Sequence, residues 1–286
     1  MYTTLIQPTE LQALLRSSEN VRVFDVSFDL MRPEQGNATY LETHLAGALH
    51  ADINLVLSAK DPREALNGGR HPLPRRERFA QWLANQGVDD QTQVIVYDRN
   101  GMNYCGRLWW MLKWCGHEAV AVLDGGLQAW VAEGGAVRSG PETAPAPRNF
   151  NLRAPLARLV HTAEVVAQLE DATAQTLIDA RATPRYRGET EPLDPVAGHI
   201  PGALNRPYGH NLTENGTFKP ANVLRQEFEQ LLGQRSAASV VHHCGSGVSA
   251  VPNILAMEIA GLGRAGLYAG SWSEWCTTPG LPCAKG

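Results

Sequence analysis

Short apolar runs recur along the chain, each set beside a stretch with helical spacing. Val94 to Tyr97 and Val240 to Val241 are β-branched runs of the kind that bury on both faces, as parallel strands do. Glu10, Leu11, Leu14 and Leu15 carry helix spacing ahead of a strand ending at Asp25. Val165, Val166 and Leu169 do the same ahead of a strand ending at Asp179. Val251 to Ile259 reads as a helix, with Pro252 tolerated in its first turn. Strand, turn and helix in alternation predict an α/β fold with parallel sheets flanked by helices.

The pattern occurs twice. Val23-Phe24-Asp25-Val26 resembles Leu177-Ile178-Asp179-Ala180, and His44-Leu45-Ala46-Gly47-Ala48-Leu49 matches His199-Ile200-Pro201-Gly202-Ala203-Leu204. Val94 to Asp98 resembles Val240 to Cys244, and Asp124 to Trp130 matches Ala269 to Trp275. The offsets are 154, 155, 146 and 145, in one order, which is the signature of a duplicated domain. The proline-rich stretch with Pro141, Pro145, Pro147 and Pro155 lies between the copies and reads as a linker. The expected organisation is a first domain over 1–140, a linker over 141–155 and a second domain over 156–286. A length of 286 residues agrees with two domains.

Charge narrows the partners. Lys plus Arg number 25 against 29 Asp plus Glu, so the chain is mildly acidic, which argues against nucleic acid as a partner. The longest relevant apolar region, Cys244 to Met257, is too short and too polar to span a bilayer. The first residues lack a basic segment followed by an apolar one, so no membrane association and a cytoplasmic location are expected. The five cysteines, Cys105, Cys115, Cys244, Cys276 and Cys283, form no CxxC pair and no zinc spacing, so free thiols and no metal are expected.

One cysteine stands apart. Cys244 ends a buried strand, and Gly245-Ser246-Gly247-Val248-Ser249 leads from it into a helix. The glycines let the backbone curl and aim N–H groups inward, and the helix N-terminus adds partial positive charge. Both favour a thiolate over a thiol. A phosphatase loop would need an arginine six residues beyond the cysteine, where this chain has Ala250. A cysteine protease would need a histidine base, but His242 and His243 are neighbours on a strand and point to opposite faces.

The segment Cys244 to Ser249 resembles the active-site loop of the rhodanese superfamily, of the 3-mercaptopyruvate sulfurtransferase type. The usual loop is Cys-Gly-Ser-Gly-Val-Thr, and Ser249 keeps the hydroxyl of its last residue. The His-x-x-Gly-Ala motif in both copies and the Gly-Ser-Trp-x-Glu-Trp ending belong to the same resemblance. It covers essentially the whole chain and implies two tandem rhodanese-like domains. The first would be catalytically inactive, because Asp98 stands where Cys244 stands in the second. The implied reaction moves a sulfur atom from a small-molecule donor onto Cys244 as a persulfide, then to an acceptor such as cyanide, a thiol or a thioredoxin. No cofactor is implied.

Donor choice follows from charge. The thiosulfate-using branch carries basic residues beside the cysteine, whereas Gly245 and Ser246 are neutral, which favours monoanionic 3-mercaptopyruvate. Its carboxylate calls for arginine. By the resemblance, Arg185 is the first substrate arginine. The second, normally in a Glu-Pro-Arg motif, is missing from Glu191-Pro192-Leu193-Asp194, and Arg187 is the candidate replacement. Arg181 is expected to be structural. The expected substrate-binding set also includes Gly245, Gly247, Val248 and His71, and the catalytic set is Cys244, Ser246 and Ser249. His71 matches a family histidine, while the accompanying acid falls on Asn54, with Asp52 nearby. His44 and His199 occur in both copies, which marks them as structural. A thiosulfate sulfurtransferase and a sulfur-relay module without small-molecule activity stay open. A tandem domain pair suggests a monomer.

Overall fold

A computed structural model describes residues 1–17, 20–171 and 174–286. The chain forms two compact units. The first comprises Met1–Ala59, Pro74–Leu156 and Asn215–Thr217, and the second Lys60–Leu73, Ala157–Glu214 and Phe218–Gly286.

Each unit is built on a five-stranded parallel sheet with the same strand order. In the first, the order across the sheet is Leu5–Ile6, Val120–Leu123, Gln93–Tyr97, Val21–Asp25, Leu49–His50. In the second it is Leu159–Val160, Gly266–Tyr268, Val240–His243, Thr176–Asp179, Leu204–Asn205. All of these pairings are parallel, so the crossovers carry helices that cover the sheet faces. The apolar runs of the sequence are these central strands, and every residue of Gln93–Tyr97 and Val240–His243 is buried. The helix-spaced stretches form Pro8–Ser17, Thr162–Ala167 and Val251–Ile259.

The tryptophans at 109, 110 and 114, with Met111, lie in the helix Cys105–Trp114 and are buried in the first unit. Arg107 on the same helix is fully buried and donates to the Leu57 carbonyl. His44 stacks on Tyr40 and bonds its carbonyl at 2.8 Å, and His199 does the same with Tyr186, also at 2.8 Å. The shared motif is thus a structural pin in both units. The proline-rich stretch lies along the first unit, where Arg148 N donates to Ala84 O and Arg153 N to Cys115 O. No helix among the described residues is long and apolar enough to cross a membrane.

The central strand of the second unit carries an acid-sensitive group. His242 is fully buried between Met257 Sδ, 3.1 Å from Nε2, and the edge of Phe228. Burial lowers its pKa from 6.5 to about 3, helped by His243 and Arg206. On unfolding the ring takes up a proton below pH 6.5, so its contribution to stability is complete above that value and is lost as pH falls toward 3. Urea denaturation at pH 7 and pH 5 is expected to show a loss that is about 1–2 kcal/mol larger in the parent than in His242→Leu.

Candidate active site

The strand Val240–His243 delivers Cys244 to the C-terminal edge of the sheet, where open α/β folds place their ligands. Cys244 is only 2% exposed. Its N–H donates to Ser271 Oγ at 3.1 Å and its carbonyl accepts from Trp272 N at 3.0 Å. The Gly245 carbonyl accepts from Ser273 N at 2.9 Å, so the start of the loop is clamped to 271–273. Gly247 has φ +73°, and a Cβ there would lie 2.3 Å from the Ala269 carbonyl oxygen. Only glycine fits that turn.

The first unit shows what this backbone holds. Asp98 ends the equivalent strand, and six residues separate it from the helix Cys105–Trp114, as six separate Cys244 from Val251–Ile259. Gly101, at φ +68°, matches Gly247, and Gly126, at φ +59°, matches Ser271 at φ +56°. The Asp98 carbonyl accepts from Leu127 N, as that of Cys244 accepts from Trp272 N. The loop then closes on the Asp98 carboxylate. Oδ1 accepts from the N–H groups of Asn100 and Met102, and Oδ2 from those of Tyr104 and Cys105, all at 2.8–2.9 Å. The positions matching these four donors are Ser246, Val248, Ala250 and Val251. Val251 N donates to Val248 O, while Ser246, Val248 and Ala250 N–H meet no acceptor among the described residues. A loop that binds a carboxylate in one copy surrounds a cysteine in the other.

The side chains around Cys244 come from three segments of the second unit. His71 Nδ1 lies 2.8 Å from Ser246 Oγ, both groups buried. Arg185, in the short helix Thr183–Tyr186, spends Nε and Nη2 on Glu191, at 3.2 Å to Oε2 and 2.7 Å to Oε1, and reaches Asp194 Oδ2 at 3.3 Å. Arg70 pairs through Nη1 with Asp194 Oδ1. Burial pushes the Asp194 carboxyl upward, against the pull of Arg70. Arg181 is held by Asp179 at 2.7 Å, Glu191 at 3.3 Å and the face of Trp272, and the geometry gives it a structural place.

The arrangement corrects one expectation. Arg187 is exposed, with Glu189 at 3.8 Å as its ion-pair partner. Residues two apart on a helical turn do not face the same way, so Arg187 does not join Arg185. A Cβ on Gly245 would instead lie 2.7 Å from Arg70 Nη2 and 3.6 Å from both Nη1 and Nη2 of Arg185. Val248 is buried and Ser249 half-buried in the loop. Asp52 caps its own turn by accepting from Asn54 N and Leu55 N. His243 is fully buried, and burial lowers its pKa despite Asp179 at 4.0 Å, which leaves it a neutral core group. Among the described residues no group of His, Cys, Asp and Glu is arranged to hold a metal.

Sequence reasoning passed over Arg70, Glu191, Asp194 and Ser271. Two signals bore on them. Arg70 adjoins His71, and Ser271 stands where the first copy has Gly126, in a conformation that costs a non-glycine residue energy.

The rhodanese-like domain family matches this chain twice, over residues 7–133 and 161–278. The chain therefore belongs to the rhodanese family, as a tandem pair of its domains. It is 42% identical over 283 residues to the "Probable 3-mercaptopyruvate sulfurtransferase" of Pseudomonas aeruginosa, covering 99% of this chain and 98% of that one. It is 34% identical to the thiosulfate sulfurtransferase of Rattus norvegicus, covering 96% and 92%. The crystal structure of SseA from Escherichia coli, described as a 3-mercaptopyruvate sulfotransferase of rhodanese fold, superposes with a TM-score of 0.80 at 30% identity, over 96% of this chain and 100% of that one. Sulfur transfer is the activity these relatives share; the donors they are named for differ.

Proposed function

We propose that the chain is a sulfurtransferase in which Cys244 takes the sulfur of 3-mercaptopyruvate as a persulfide. The observation that carries this reading is the Asp98 carboxylate held by four backbone N–H groups in the loop that matches the Cys244 loop. The same backbone around a cysteine aims N–H groups at the place where charge develops on sulfur during transfer. The Cys244 thiolate attacks the donor sulfur, the carbon–sulfur bond breaks, and its electron pair leaves on the pyruvate enolate. The enolate takes a proton at carbon to give pyruvate. Ser246, bonded to His71, is the polar pair placed to meet the departing enolate. Cyanide, a small thiol or a thioredoxin-like protein then attacks the outer sulfur of the persulfide and restores the Cys244 thiolate.

Charge favours the monoanionic donor. Around the loop Arg70, Arg181 and Arg185 face Asp179, Glu191 and Asp194 in ion pairs, so formal charges cancel. A neutral balance with two guanidiniums beside Gly245 suits one carboxylate better than a dianion. The likeness to a thiosulfate sulfurtransferase supports the second reading, in which thiosulfate is the donor. Steady-state assays with cyanide as acceptor separate the two. A kcat/KM for 3-mercaptopyruvate at least about 10-fold above that for thiosulfate is expected, a margin set by one charge-assisted hydrogen bond. The reverse order would transfer the assignment to thiosulfate.

A further inference from the structure

We propose that Arg70 is the residue that receives the donor's carboxylate, with Arg185 beside it. The proposal rests on the reading of the donor as a small thiol-bearing carboxylate. Three observations carry it.

The first is position. Arg70 Nη2 and the Arg185 guanidinium flank the space directly over Gly245 Cα, one residue beyond the nucleophile. Successive Cα atoms are about 3.8 Å apart, close to the span from the sulfur of 3-mercaptopyruvate to its carboxylate carbon three bonds away. A donor whose sulfur meets Cys244 is thus short enough for its carboxylate to fall beside the next residue, where this pair stands. Gly245 is also what lets Arg70 approach the loop, since any side chain there would strike its Nη2.

The second is the donors each arginine has left. The side-on edge of Arg185, Nε and Nη2, is spent on Glu191. In Arg70 only Nη1 is bonded, to Asp194, while Nε is buried with no partner among the described residues. Nη2 of Arg70 is therefore left unspent beside Gly245, while the equivalent group of Arg185 is already taken.

The third is that the segment is held in place. Arg70 N donates to Ser273 Oγ at 3.0 Å, and its carbonyl accepts from Lys60 Nζ at 2.7 Å. Next to it His71 meets Ser246. Gly69, at φ +85°, lies so close to 270–273 that a Cβ would be 2.6 Å from Ser273 Oγ. Thus Asp194, in the stretch where the family's second arginine is missing, does not bind substrate; it aims the arginine that does.

The test compares Arg70→Met, Arg70→Lys and the double variant Arg70→Met with Asp194→Asn, which also removes the carboxylate that loses its Arg70 partner. Two readouts are used. One is turnover with 3-mercaptopyruvate. The other is alkylation of Cys244 by iodoacetate, which carries a carboxylate, against neutral iodoacetamide, followed on the Cys244 peptide by mass spectrometry. In Arg70→Met and the double variant KM is expected to rise about 10–100-fold with a smaller change in kcat, the loss of one charge-assisted hydrogen bond. The iodoacetate rate is expected to fall about 10-fold with the iodoacetamide rate unchanged, and Arg70→Lys to lie between. Unchanged KM and iodoacetate rate in the double variant would overturn the proposal. If the parent takes no sulfur from 3-mercaptopyruvate, yet iodoacetate selectivity depends on Arg70, the donor reading fails and the carboxylate assignment stands.

Discussion

Cys244→Ser is expected to fold like the parent and to transfer no sulfur from either donor, a loss of at least about 10³-fold in kcat/KM. A serine hydroxyl at this position fits the same backbone, because the strand–loop geometry is set by Gly247 and by the tethers to Ser271 and Trp272 rather than by the sulfur. It is not ionised at neutral pH and forms no persulfide. Thermal and urea unfolding should therefore stay within about 1 kcal/mol of the parent, while sulfur release to cyanide falls to background. A variant that kept more than about a tenth of the parent's turnover would move the sulfur-carrying role to another group.

The second large effect lies in the unit without the cysteine. Asp98→Ala removes the buried carboxylate on which four backbone N–H groups converge. Each buried donor left without an acceptor costs about 1–3 kcal/mol, and entry of water recovers part of that. A loss of about 3 kcal/mol is expected in the denaturant-induced unfolding of the first unit, with turnover at 25 °C retained. Asp98→Asn keeps one acceptor oxygen and should fall between. The contrast with Cys244→Ser is the informative part: one backbone loop closes on a carboxylate in the first unit and surrounds a cysteine in the second. An Asp98→Ala protein as stable as the parent would remove the basis for reading this loop as an anion cradle.

Much of this was legible in the residues. Buried parallel strands announce themselves as apolar runs, and the run ending at Cys244 was one of them. The repeat was visible because both copies keep the residues that backbone geometry demands, such as Gly47 and Gly202. The tight turn after Cys244 was visible for the same reason. Side-chain alliances across distant segments were not. Arg70 meets Asp194 only because Lys60–Leu73 packs into the second unit, and no local pattern in that segment encodes the long-range placement. Arg187 looked suitable by proximity in sequence to Arg185, yet a single helical turn sends the two side chains apart. The sequence also left Asp98 as a mere substitution for the nucleophile, whereas its four amide bonds give it a structural task.

The central claim is that Cys244 carries the transferred sulfur. Its most direct test is the intact mass of the purified protein after incubation with 3-mercaptopyruvate under anaerobic conditions, followed by peptide mapping, with Cys244→Ser as control. The account predicts a gain of one sulfur atom, located on the Cys244 peptide, lost again on adding cyanide and absent from the control. A sulfur gained equally by the control, or located on Cys276 or Cys283, would contradict it.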